Sequence, residues 1–154
     1  MKIRRATEDD HMPLFKLAAA MHAETLYRQY GFAPEKALKR LWHWITSPDS
    51  VILVADQDGE AVGMFAADVY APWFTDDTLA LEGCFFVLPE HRGSRAGYML
   101  MRTFYEWAHE RGASHIQAGV SSGLGPAGER LYQHFGLEHL GGNYARQLTK
   151  AAAS

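Results

Sequence analysis

The sequence holds a single cysteine, Cys84, among its 154 residues. No intramolecular disulfide can form, and a reducing, cytoplasmic compartment is the expectation. One thiol also rules out a thiolate cage, and the eight histidines include no pair of the H-E-x-x-H type, so no metal is expected. Positive charge is in short supply: 15 lysines and arginines against 18 aspartates and glutamates leave a formal charge of -3. Coating nucleic acid needs a broadly basic surface, so no nucleic-acid partner is expected. The opening MKIRRATEDDHMPL lacks an uninterrupted apolar run, and no stretch elsewhere is long enough to cross a bilayer. Neither a signal peptide nor a membrane partner follows from such a pattern. Repeats, low-complexity tracts and linkers are missing as well. With 47% apolar residues, one domain spanning 1–154 with one core is the simplest organisation.

What is present is an alternation of short strands and amphipathic helices. Lys2 to Arg5 alternates as a strand, and Thr7 with Asp10 resembles a helix-starting box ahead of Leu14, Phe15, Leu17, Ala18 and Met21. Pro34 opens a second helix whose stripe is Leu38, Leu41, Trp42 and Ile45, ended by Ser47-Pro48. VILVADQDGEAVGMFAADVY is two β-rich runs joined by an Asp-Gly turn, and TLALEGCFFVL is a third run after the interruption APWFTDD. AGYMLMRTFYEWAHERG places Leu100, Phe104, Trp107 and Ala108 on one helical face. A short strand, SHIQAGV, follows a full helix and so is expected to run parallel to the strand before it. GPAGERLYQHFGL is a last helix, LEHLGGNYARQL allows two short strands around Gly141-Gly142, and TKAAAS is expected to fray. The class is α/β, with a mixed, mostly antiparallel sheet.

The chemistry concentrates in CFFVLPEHRGSRAGYML, Cys84 to Leu100. A strand ending at Pro89 passes through a basic, glycine-bearing turn into a helix whose first amides have no intrahelical acceptor, and such an end attracts anions. Gly93 and Gly97 permit close backbone approach, while Arg92, Arg95 and His91 add charge. The plain alternative is a strand-to-helix connection with solvated arginines. A second glycine pattern, GLGPAG from Gly123 to Gly128, satisfies G-x-G-x-x-G. It lacks the acid about twenty residues further on that a dinucleotide site requires, and too little chain remains to complete the sheet.

The order of elements, the turn Arg92-Gly93-Ser94-Arg95-Ala96-Gly97, the strand end Val87 to Gly93 and the late RLYQHFGL together resemble the GNAT superfamily of N-acetyltransferases over nearly the whole chain, Lys2 to Leu148. In that family the turn reads Gln/Arg-x-x-Gly-x-Gly/Ala; here its first and last positions match and Arg95 replaces the middle glycine. The late signature Tyr-x-x-x-Gly-Phe is matched at Tyr132 and Gly136, with Leu137 in place of phenylalanine. The resemblance implies flanking helices, a splayed parallel pair of central strands, and acetyl-CoA as cofactor. It places the pyrophosphate on Arg92, Gly93, Ser94, Arg95, Ala96, Gly97 and Tyr98 and the pantetheine arm along the backbone of Phe85, Phe86, Val87 and Leu88.

The resemblance also implies two catalytic side chains. Direct acetyl transfer needs an uncharged amine, whereas an alkylamine with a pKa of about 10.4 is almost wholly protonated at neutral pH. Glu82 stands where the family often keeps a glutamate as general base, and Tyr132 where its tyrosine protonates the departing thiolate. Without the resemblance, Glu82 reads equally as an exposed or ion-paired acid and Tyr132 as a packed aromatic. Tyr27, Trp73, Phe74 and Tyr144 fall in segments that flank the acceptor cleft in such enzymes, and aromatics beside acids suit a cationic amine. Trp42 is expected in the core, Asp76-Asp77 in a solvated turn, and Cys84 as a buried apolar residue. The expected activity is acetyl transfer to a primary amine of a small molecule or peptide by direct attack, in a monomer or homodimer. A CoA-binding module without turnover is the competing reading, because an asparagine that the family often keeps before the late tyrosine is Gly125 here.

Overall fold

The computed structural model describes residues 1–119 and 125–148. The start of GLGPAG and the TKAAAS tail lie outside the described residues. The elements are β1 (Lys2–Arg5), α1 (His11–Glu24), α2 (Pro34–Thr46), β2 (Ser50–Gln57), β3 (Glu60–Tyr70), β4 (Leu79–Val87), α3 (Ala96–Glu110), β5 (His115–Gln117) and α4 (Gly125–His134), with short 3-10 turns at Glu8–Asp10, Leu26–Gln29 and Pro89–His91.

The strands form one sheet in the order β1-β2-β3-β4-β5. Its neighbours are antiparallel except β4 and β5, which are parallel. The β2–β3 hairpin turns at Asp58 and Gly59, both with positive φ (54° and 92°). Such a pair matches the right-handed twist of the flanking strands, which is why Asp-Gly was informative in the sequence.

Alternating side chains bury both faces of the sheet. Val51, Leu53 and Ala55 of β2, with Phe65 and Ala67 of β3, meet Leu100, Met101, Phe104, Trp107 and Ala108 of α3. On the other face, Ile52, Val54, Met64 and Ala66 meet Leu14 and Leu17 of α1 and Leu41 and Trp44 of α2. Phe104 is fully buried and stacks on Phe65 with centroids 4.4 Å apart. Phe104→Ala should therefore cost about 3–5 kcal/mol in a denaturant titration, the usual range for emptying an aromatic core site.

Two expectations are corrected. In α2 the buried tryptophan is Trp44, whereas Trp42 is 42% exposed and rests against the His11 ring. Leu41 and Trp44 are three residues apart and share a helical face, while Trp42 stands about 100° round from Leu41. Near the end of the chain, residues 138–148 form no strand and are exposed. Leu140, Tyr144 and Leu148 would share one face of an extended strand, but Gly142 and Arg146 stand between them there, so even that face is only half apolar.

Candidate active site

The site originates in an irregularity of β4. Its register against β3 runs Phe65↔Phe85, Ala66↔Cys84, then Ala67↔Glu82, leaving Gly83 as one extra residue. Such a bulge bends the strand and re-aims the side chains beyond it. Ala80 and Cys84 are an even number of residues apart and would share a face of a regular strand. Here Ala80 packs on the α3 side and Cys84 on the α1–α2 side. Glu82, two residues from Ala80, is thereby turned toward the α3–α4 side.

β5 follows β4 for only three residue pairs, Leu79↔His115 to Leu81↔Gln117. At the point of separation, the Glu82 carboxylate reaches across the gap. Its Oε2 accepts the Gly119 amide (2.8 Å) and the Tyr132 hydroxyl (3.1 Å), and the Gly119 carbonyl lies 3.2 Å from the same hydroxyl as an alternative acceptor. Both donors fall on Oε2. Tyr132 is buried, held by α4 against the α3-side core.

Burial pushes the Glu82 carboxyl above the ordinary carboxylate range, opposed in part by the Gly119 amide and the Tyr132 hydroxyl. Tyr132 is pushed above the ordinary phenol value, first by burial and then by the negative charge of Glu82. The result is a carboxyl that gives up its proton late beside a phenol that stays protonated. Tyr27 lies in the short turn Leu26–Gln29 after α1, and its field adds the smallest of the upward pushes on Tyr132.

Beyond the split, one edge of β4 pairs with no strand among the described residues. Leu88 donates to Val62 of β3 at 3.0 Å, and the alternation of an antiparallel ladder commits Phe86 to β3 as well. Phe85 and Val87 therefore turn their backbone groups to the open edge. Of the four residues expected to read a pantetheine arm, those two face the open edge, with the Val87 carbonyl already accepting from Arg92 Nε at 2.9 Å.

The turn after β4 has the features of an anion site. Gly93 takes a left-handed φ of 78° and a side chain there would meet nothing within 4 Å. Ser94 Oγ caps the Ala96 amide at 3.2 Å, and the helix ladder begins with Met99 donating to Arg95, which leaves Gly97 and Tyr98 without intrahelical acceptors. A Cβ on Gly97 would sit 3.7 Å from Phe85 and 3.8 Å from Leu131, ordinary contact distances. Arg95 is exposed at the helix start. These groups suit a diphosphate, and the open edge leads from them to Glu82, so the residues fit coenzyme A.

Arg92 is used differently from the expectation. Its Nε donates to the Val87 carbonyl at 2.9 Å, its guanidinium pairs with Glu24 at the end of α1, and it lies 5.3 Å from the Phe86 ring centroid. It ties the turn to α1. Trp73 (95% exposed) and Phe74 (70%) contact each other edge to face on the β3–β4 loop and make no ring or hydrogen-bond contact with Glu82 or Tyr132. Tyr144 is fully exposed. Cys84 is buried, 3.3 Å from the Met21 sulfur, and burial pushes its thiol far up, which disqualifies it as a nucleophile.

Three participants escaped the sequence reading. Glu24 and Gly119 carry no local signal, but Gly83 did: an isolated glycine inside a strand pattern marks a bulge or a close approach. Among the described residues, no histidine, cysteine or carboxylate cluster could hold a metal, and no helix is long and apolar enough to cross a membrane.

Comparison with known proteins agrees with this geometry. Residues 17–137 match the acetyltransferase (GNAT) family. An uncharacterised N-acetyltransferase of Archaeoglobus fulgidus is 34% identical over 115 residues, which is 72% of this chain and 76% of that protein. The streptothricin acetyltransferase of Streptomyces lavendulae is 37% identical over 84 residues, 54% of this chain and 42% of its own length. The fold also matches the aminoglycoside N-acetyltransferase AAC(6')-Iy bound to a CoA bisubstrate analogue, with a TM-score of 0.76 at 16% identity over 97% of this chain and 98% of that one. Another solved relative in fold is the 6'-N-acetyltransferase AAC(6')-IG of Acinetobacter haemolyticus, with a TM-score of 0.71 at 17% identity over 98% and 100%. The chain belongs to the GNAT family and is an acetyl-CoA-dependent N-acetyltransferase.

Proposed function

We propose that the protein acetylates a primary amine of a small molecule by direct attack, with Glu82 as general base and Tyr132 as general acid. The observation that carries this reading is the hydrogen bond between the two where β4 and β5 separate. Bound acetyl-CoA supplies an acetyl thioester carbon, which the amine attacks, and a thiolate that departs. Glu82 takes the first proton from the ammonium group, Oε1 being the oxygen without a donor among the described residues. Tyr132, 3.1 Å from Glu82 Oε2, holds the proton destined for sulfur and regains one from Glu82 once the carboxyl turns its protonated oxygen to the phenolate. Of the two protons that nitrogen gives up, one follows this route and the other leaves to solvent.

Small amines are favoured as acceptors because the streptothricin enzyme and the aminoglycoside enzymes are named for such substrates. The test is thiol release from acetyl-CoA with a panel of mono- and polyamines and amine-bearing peptides. Faster turnover with small amines supports the reading, and turnover with peptides alone overturns the acceptor class. Coenzyme A at a hundred times its Kd should stabilise the fold by about 2.7 kcal/mol in a thermal melt. An unchanged melt would sink the assignment of the Gly93–Tyr98 turn as the diphosphate site.

A further inference from the structure

A regular β4 would turn Glu82 to the same face as Cys84, away from Tyr132, because the two are an even number of residues apart. The extra residue at Gly83 prevents this. What holds the bulge is therefore as much a part of the site as the carboxylate it aims.

Trp44 of α2 occupies the space that a side chain on Gly83 would need. A Cβ built there would stand 2.5 Å from the indole Cζ2, 3.2 Å from Cε2 and 3.3 Å from Cη2. The indole has little freedom to withdraw. Its Nε1 donates to Asp68 Oδ2 at 2.9 Å, and Arg40 both lies over its ring at 4.4 Å and donates to the same oxygen at 2.8 Å. Ser50 Oγ donates to Asp68 Oδ1 at 2.6 Å. Asp68 is itself a β3 residue, paired in register with Ser50 on one side and Leu81 on the other. The tether thus anchors the indole to the strand against which β4 is offset.

We infer that Trp44, held by Asp68, is a positioning residue that wedges the β4 bulge at Gly83 and so aims Glu82 at Tyr132 and Gly119. This inference rests on the reading of Glu82 as the base. Trp44 touches neither that carboxylate nor its partners; it acts through the backbone of Gly83. A displacement of about 1 Å at a reacting group is enough to cost about 100-fold in rate.

The test is a cycle of Trp44→Leu, Gly83→Ala and the double variant in the full chain, with Glu82→Gln as the reference. Leucine is too short to reach the indole's outer ring atoms, so the double variant removes the clash that Gly83→Ala creates. Each protein is assayed for kcat, for the KM of acetyl-CoA, for the pH profile of turnover and for its melting temperature. Trp44→Leu is expected to lower kcat about 10- to 100-fold, to leave the acetyl-CoA KM within about twofold, and to move the acid limb of the profile, because the surroundings of Glu82 change. Gly83→Ala should be worse than the double variant in both kcat and melting temperature. If Gly83→Ala does not fold, recovery of a folded protein in the double variant reads the same coupling.

A folded Trp44→Leu whose kcat and acid limb match the parent would overturn the inference. If Glu82→Gln removes the acid limb while Trp44→Leu leaves it in place, the positioning role is wrong and the base stands. If Glu82→Gln itself leaves the limb unchanged, the base reading falls and the positioning role falls with it.

Discussion

Glu82→Gln is expected to lower kcat about 10²- to 10⁴-fold, the usual contribution of a positioned acid or base, and to erase the acid limb of the pH profile. The amide keeps the acceptor oxygen that receives the Gly119 amide and the Tyr132 hydroxyl, so the loss isolates proton uptake from architecture. The sign of the pH dependence follows from burial. The folded-state pKa of Glu82 is raised, so the basic form accumulates only above the ordinary carboxyl range and turnover falls as pH drops through the raised value. Stability moves the other way. A carboxyl raised by folding contributes fully below its ordinary pKa, and that contribution is lost as pH rises through the raised one. Glu82→Gln should therefore melt above the parent at neutral pH and converge with it in acid. A pH profile that overlays the parent would exclude Glu82 as the base.

Tyr132→Phe is expected to have an effect of similar size on kcat, about 10²- to 10⁴-fold, with coenzyme A binding unchanged. The ring volume survives in its buried place, so the main loss is the hydroxyl proton. Its removal has a second, opposite-facing signature. The Tyr132 hydroxyl holds the Glu82 pKa down by donating to it, so Tyr132→Phe should shift the acid limb to higher pH, where Glu82→Gln removes the limb altogether. Since both donors fall on Oε2, the Gly119 amide still orients the carboxylate. A Tyr132→Phe enzyme with parental kcat would show that the departing thiolate needs no proton from this residue.

Much of the architecture was legible because its signals are local. The Asp58-Gly59 turn, the stripe of α3 and the proline-flanked starts of α2 and α4 each follow from a few neighbouring residues. The chemistry was legible less directly. Glu82 and Tyr132 were found through a resemblance, since neither carries a spacing that demands its role. The misreadings also have local causes. Trp42 looked like core because it stands at helical spacing from Leu38 and Ile45, yet the buried face of α2 runs through Leu41 and Trp44, about 100° round per residue. The end of the chain looked like a hairpin on account of two glycines, although Gly142 and Arg146 interrupt the one face on which Leu140, Tyr144 and Leu148 would meet. Arg92 was named for the diphosphate by its charge and by the turn motif it opens, while its pairing with Glu24, 68 residues away, was invisible to any window.

From the residue order alone came most of the element types, the hairpin and the basic glycine-bearing turn, all governed by contacts a few positions apart, and a single cysteine leaves no intramolecular disulfide to form. Only the tertiary structure decided which face of β4 carries Glu82, that Tyr132 meets it, and that Arg92 turns to α1. The face that carries Glu82 follows from one inserted glycine, whose empty side-chain space is filled by an indole from a distant helix, and the turn of Arg92 follows from where α1 presents Glu24. A strand's period of two makes every side chain beyond such an insertion change face, and no local pattern reports which neighbour will hold it there.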